Sequence, residues 1–131
     1  MRAVNMPMLT RRQFALWMTA YGRASAENDP QASANLFASD ARYYENPFDE
    51  PITGRAAIYA YWNDGAQKFQ DKESAFEILA VKKNRGIARW QSQFTVVETG
   101  KRLALDCLFL VEFNADGLCQ TFREWWHIQE R

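Results

Sequence analysis

Apolar positions recur along this chain with two different periods. Phe14, Trp17, Met18 and Tyr21 are spaced as on a helix buried along one side, and Thr10-Arg11-Arg12-Gln13 just before them has the form of a capping box. A first helix is therefore predicted from Thr10, ending near Asn28. Asp29-Pro30 pairs an N-cap with a first helical residue and predicts a short second helix through Leu36 and Phe37. Ala38-Ser39-Asp40-Ala41 then reads as the end of that helix, and Arg42-Tyr43-Tyr44-Glu45-Asn46 as an alternating strand stopped by Pro47. Thr53 is expected to cap a third helix with Ile58, Tyr61, Trp62, Gly65 and Phe69 on its buried side, where Gly65 would permit close packing.

From Glu73 the period shortens to two. Phe76, Ile78 and Ala80 alternate with Glu77, Leu79 and Val81, and Lys83-Asn84-Arg85-Gly86 supplies a turn. Strands are predicted at about 87–98, 102–113 and 118–128, joined by Thr99-Gly100 and by Asn114-Ala115-Asp116-Gly117. The pattern is that of one α+β domain over residues 1–131, with 1–9 expected as a flexible N-terminal arm.

Turn lengths fix which side chains share a face. A four-residue turn over Asn114 to Gly117 pairs Phe113 with Leu118 and sets Glu124 across from Cys107, among Leu105, Phe109, Val111, Phe122 and Trp126. A carboxyl group there needs a partner, a raised pKa or a solvated cavity, which makes Glu124 a candidate for chemistry. Pairing Glu98 with Lys101 across Thr99-Gly100 sends Ala88, Trp90, Ser92 and Phe94 to the Glu124 side, and Arg89, Gln91 and Gln93 to the other. The other side also carries Asp106, Leu108, Leu110, Arg123, Trp125 and His127, a mixture suited to a homodimer interface.

Composition narrows the function classes. Hydrophobic residues make up 47% and aromatics 15%, so disorder is excluded. Sixteen basic residues balance sixteen acidic ones, which argues against nucleic acid or an anionic membrane as partner. No apolar run is long enough to span a bilayer, and Met1 to Leu9 is short and broken by Asn5 and Pro7; the expectation is a cytoplasmic protein without a signal peptide. Cys107 and Cys119 make no disulfide framework, and the single histidine, His127, argues against a Ser-His-Asp triad or a histidine metal site. No metal or other cofactor is implied.

Leu36-Phe37-Ala38-Ser39-Asp40-Ala41, Tyr44-Glu45-Asn46-Pro47, Gly54-Arg55 and Phe122-Arg123-Glu124-Trp125-Trp126-His127 stand in the order of recurring motifs of the nuclear transport factor 2-like superfamily. The chain resembles its SnoaL-like branch over nearly its whole length. The resemblance implies a cone: a curved antiparallel sheet wrapped around three N-terminal helices, a fold that carries isomerases, cyclases, dehydratases, epoxide hydrolases and binders without activity. Compared with ketosteroid isomerases, Asn46, Tyr21 and Phe109 look like the positions of the general base, the oxyanion tyrosine and the protonated acid. An amide cannot abstract a carbon-bound proton, so Asn46 disfavours that mechanism. Tyr44, Asn46 and Glu124 resemble the water-holding trio of limonene-type epoxide hydrolases; for those enzymes' further arginine and acid on one strand the chain offers Arg89 and Gln91, but Gln91 is a poor general acid and the hairpin register puts both on the other face.

Two readings follow. In the first, a pocket walled by Trp62, Trp90, Cys107, Phe109, Phe122 and Trp126 takes a small apolar or aromatic molecule, Glu124 acts as acid or base, Tyr44 and Asn46 orient water or a carbonyl, and Tyr21 donates a hydrogen bond. In the second, the domain binds or dimerises without catalysis. Tyr44 and Asn46 could equally cap the Pro47 turn, Tyr21 could be a core tyrosine, Cys107 a small buried hydrophobe and Glu124 one half of a structural ion pair.

Overall fold

The computed structural model describes residues 8–131. Helix α1 (Arg11–Ala26) starts at the capping box, with Thr10 and Gln13 exchanging side-chain and backbone hydrogen bonds. Its stripe of Phe14, Trp17, Met18 and Tyr21 is buried. Helix α2 (Pro30–Ala34) is capped by Asp29 and is shorter than the sequence pattern suggests. Strand β1 (Phe37–Tyr44) takes over at once, because Phe37, Ala38 and Ala41 belong to the core of the sheet.

A two-residue strand β2 (Ile52–Thr53), which no periodicity could reveal, pairs with β1. It occupies Thr53, so Gly54, at φ 92°, becomes the N-cap of α3 (Arg55–Lys68). The Arg55 guanidinium donates twice to the Phe37 carbonyl, at 2.9 and 2.7 Å, and ties α3 to β1. Gly65 does not mediate close packing: an added Cβ would meet only the Phe69 ring, at 3.9 Å.

Four long strands follow: β3 (Phe69–Lys82), β4 (Arg85–Val96), β5 (Arg102–Phe113) and β6 (Cys119–Glu130). They form a curved, unclosed sheet in the order β2-β1-β6-β5-β4-β3, antiparallel except where β1 runs parallel to β6. The helices pack on its inner face, and the core is aromatic, with Tyr43 stacked on Phe122 at 4.6 Å between ring centroids and Trp90 on Phe109 at 5.7 Å.

Gly86 lies inside β4 rather than in the preceding turn, and the Phe14 ring covers its Cα. Of the arm expected over residues 1–9, residues 1–7 lie outside the described region, and Leu9 is fastened by its amide to the Lys83 carbonyl at 2.8 Å. Among the described residues no helix is long and apolar enough to cross a membrane.

Both hairpin registers differ from expectation by two residues. Phe113 pairs with Cys119 because the Asn114 side chain accepts from the amides of Asp116 and Leu118 and lengthens the turn. A bulge at Gln120 adds the second offset, so Glu124 faces Phe109 and Cys107 faces Trp126. The β4–β5 connection likewise pairs Thr95 with Arg102. Side chains alternate with a period of two, so each double offset preserves the faces: Glu124, Trp90, Ser92 and Phe94 point inward, Arg89 and Gln91 outward.

Candidate functional site

Between α3 and the open end of the sheet lies a vestibule of about 370 Å³, walled by Trp62, Lys72, Phe94, Trp126 and Glu124 among others. It shares Tyr61, Trp62, Phe69, Lys72, Phe94, Leu105 and Glu124 with an inner chamber of about 140 Å³, whose floor adds Tyr21, Tyr43, Trp90 and Phe109. A further concavity, about 520 Å³, lies over the outer face along Gln91, Gln93, Asp106 and His127. None of those four is buried, so the chemistry points to the inner space instead.

Glu124 is 9% exposed. Strand alternation holds it on the inner face, and its one hydrogen bond comes from the Tyr43 hydroxyl at 3.4 Å, long for an O–H···O contact. Burial, reinforced by the charge of Glu45 and opposed by the Tyr43 hydroxyl, pushes its pKa up to about 8. The group is therefore protonated at neutral pH, and can donate a proton, or accept one once ionised.

Three tyrosines surround it. Burial raises the pKa of Tyr21 and Tyr43 well above the ordinary phenol value, and Glu124 adds to the shift in both. Burial and Glu124 raise Tyr61 too, and its hydroxyl donates to Glu45 at 2.8 Å. All three stay as neutral hydroxyls. The Cys107 thiol is likewise pushed up by burial and then by Glu124, which keeps it protonated.

The sequence-predicted site residues divide into those the fold gathers and those it separates. Glu124, Tyr21, Trp62, Trp90 and Phe109 line the inner chamber, and Trp126 lines the vestibule, where its indole donates to the Glu45 carbonyl at 3.0 Å. Phe122 and Cys107 are buried within the core cluster without lining either space. Tyr44 does not reach Glu124: alternation along β1 turns it to the other face, beneath the Arg123 guanidinium at 4.1 Å from the ring centroid. Asn46 does not reach it either. Its side-chain oxygen accepts from the amides of Phe48 and Asp49, and its amide group bonds Asp49, so it caps the Pro47 turn.

Sequence reasoning missed Tyr43, the residue that holds Glu124. The signal was present in the alternation: in Ala41-Arg42-Tyr43-Tyr44, Tyr43 shares a face with Ala41, and following the resemblance to Tyr44 selected the wrong neighbour. Lys72 was also missed. Strand β3 has an extra residue between Gln70 and Glu73, with Asp71 at φ 51°, and Arg102 pins this bulge through the Asp71 carbonyl and Glu73. Phe69 and Lys72 thereby both line the cavity. Among the described residues, no group of three or more His, Cys, Asp or Glu side chains is arranged to hold a metal.

A model of the SnoaL-like domain matches residues 18–121. A search of curated proteins finds no match. Among solved structures, the epoxide hydrolase/cyclase-like enzyme SalBIII of pyran ring formation in salinomycin superposes with a TM-score of 0.78 at 16% identity, over 92% of this chain and 97% of that one. A Bacillus subtilis protein provisionally called an isomerase superposes with a TM-score of 0.77 at 22% identity, over 88% and 87%.

Proposed function

The chain belongs to the SnoaL-like domain family, and from that premise we propose that its cone binds a small apolar or aromatic molecule on which Glu124 acts as general acid or base. The observation that carries the reading is Glu124 itself: a nearly buried carboxyl group at the wall of a cavity, weakly held by Tyr43, whose pKa is pushed up to about 8. A group poised near the working pH transfers protons with the least mismatch in either direction. Tyr21 and Tyr43 are neutral hydroxyl donors beside it, able to polarise a carbonyl. Tyr44 and Asn46 take no part in it, the one lying under Arg123 on the other face of β1 and the other capping the Pro47 turn. The reaction type that fits is hydrolysis, cyclisation, dehydration or isomerisation without a cofactor. The small volume of the inner chamber favours a second reading, a binder without turnover.

Selective carbon-13 labelling of glutamate tests the first reading. One carboxyl resonance is expected to titrate near pH 8, and small cyclic or aromatic ketones at about 10 mM are expected to shift it together with the indole signals of Trp62 and Trp90. Ordinary titration of every glutamate, with no perturbation of those indoles, would refute it.

We further propose that a second copy covers the outer sheet face, where Ile87, Leu108 and Trp125 are 39%, 44% and 46% exposed and the last two are paired across β5 and β6. Trp125→Glu is expected to halve the mass measured by light scattering; wild-type protein already monomeric at about 100 μM would contradict the interface.

A further inference from the structure

The cavity wall carries a cation with no anion beside it. Lys72 lines both the vestibule and the inner chamber. Among the described residues no carboxylate lies within ion-pair distance of Lys72, although Lys68, Arg89, Lys101 and Arg102 each have one.

The other acids on the cavity wall are engaged elsewhere: Asp64 pairs with Lys68 at 2.9 Å, and Glu45 accepts from Tyr61 at 2.8 Å. Glu124, protonated at neutral pH, adds a donor. Among the described residues the two buried groups without partners, Asn28 Oδ1 and Trp62 Nε1, belong to side chains that border one small void behind Lys72, too small for a water molecule and apart from the ligand space. Burial lowers the pKa of Lys72, which shows that its charge is partly desolvated without an anion to compensate it.

A cavity wall with a partly desolvated, uncompensated ammonium is incomplete by the rule that buried charges find partners. We propose that the ligand of this cone carries a carboxylate or a comparable oxyanion, received by Lys72 Nζ, with its apolar body laid against Trp62, Trp90, Phe94 and Phe109. This rests on the reading that the cone binds a small apolar molecule and adds the charged end of that molecule. The β3 bulge makes the arrangement possible, since Arg102 holds the strand in the shape that lets both Phe69 and Lys72 line the cavity.

Phenylacetate, its neutral amide phenylacetamide, and ethylbenzene separate the two ideas by protein-observed NMR titration. All three are expected to shift the Trp90 indole, with phenylacetate bound about tenfold more tightly than the amide. Lys72→Met should abolish that tenfold preference, and Lys72→Arg should restore it. Persistence of the preference in Lys72→Met overturns the oxyanion site and leaves the apolar pocket standing. Absence of any cavity shift with all three compounds removes the pocket, and the inference with it.

Discussion

Glu124→Gln is expected to lose turnover by about a hundredfold or more, as removal of a general acid or base does, while its folded state gains stability at alkaline pH. The sign follows from the raised pKa. In the unfolded chain the carboxyl ionises near the ordinary glutamate value, whereas in the native protein it keeps its proton until about pH 8. Between those two values the native state binds the extra proton, so wild-type stability falls as pH rises, and the penalty is complete above about pH 8.

At roughly 1.4 kcal/mol per pKa unit, the ionised group costs on the order of 3–5 kcal/mol, an upper bound because water entering the vestibule would relieve part of it. Glutamine does not titrate. Urea unfolding at about pH 5 and about pH 9 should therefore give similar stabilities for the two proteins in acid and a clear advantage for the variant in alkali. Leucine should show the same alkaline gain, as an apolar group that needs no partner. Equal pH dependence in wild type and Glu124→Gln would mean that the carboxyl is ionised and solvated in the native state, and would remove its role as a poised acid.

Gly86→Ala is expected to cost about 3 kcal/mol or more. A Cβ at this position would stand 2.4 Å from two atoms of the Phe14 ring, far inside van der Waals contact. Phe14 is fully buried and packs edge-on against Phe113 at 5.9 Å, so its ring cannot swing aside without opening the core between α1 and the sheet. Thermal denaturation should show the loss. Combining Gly86→Ala with Phe14→Leu should cost less than the sum of the two single changes, because the smaller side chain relieves the clash. Gly100→Ala is the control: nothing lies near its Cβ, and only the left-handed backbone at φ 72° is strained, for about 1 kcal/mol. A Gly86→Ala protein as stable as that control would show that Phe14 has room to move.

These effects mark what a sequence can disclose. Helix α1 was legible because its cap and stripe are both local, and the inward direction of Glu124 because strand alternation survives any even error in register. The β5–β6 hairpin is offset by two residues through a turn lengthened by the Asn114 side chain and a bulge at Gln120, and the β4–β5 hairpin by two because its turn closes at Val96 and Lys101 rather than at Glu98 and Lys101; none of these follows from hydrophobic pattern. The partner of Glu124 was legible in principle from β1 alternation, yet motif position favoured Tyr44 over Tyr43. Lys72 was not legible, since a charged residue in a polar stretch reads as solvated until a bulge and its Arg102 clasp place it on the cavity wall. Gly86 looked like a turn glycine because its true neighbour, Phe14, lies seventy-two residues away in sequence.

The two cysteines occupy different structural joints. Cys119 pairs with Phe37 where β1 meets β6, and Cys107 sits in the middle of the sheet between Trp90 and Trp126. Burial raises both thiols and leaves them free of any disulfide. An alkylating reagent can therefore reach either one only when its strand neighbours part, which makes the pair two built-in clocks: one times the opening of the β1–β6 seam and the other the breathing of the sheet centre.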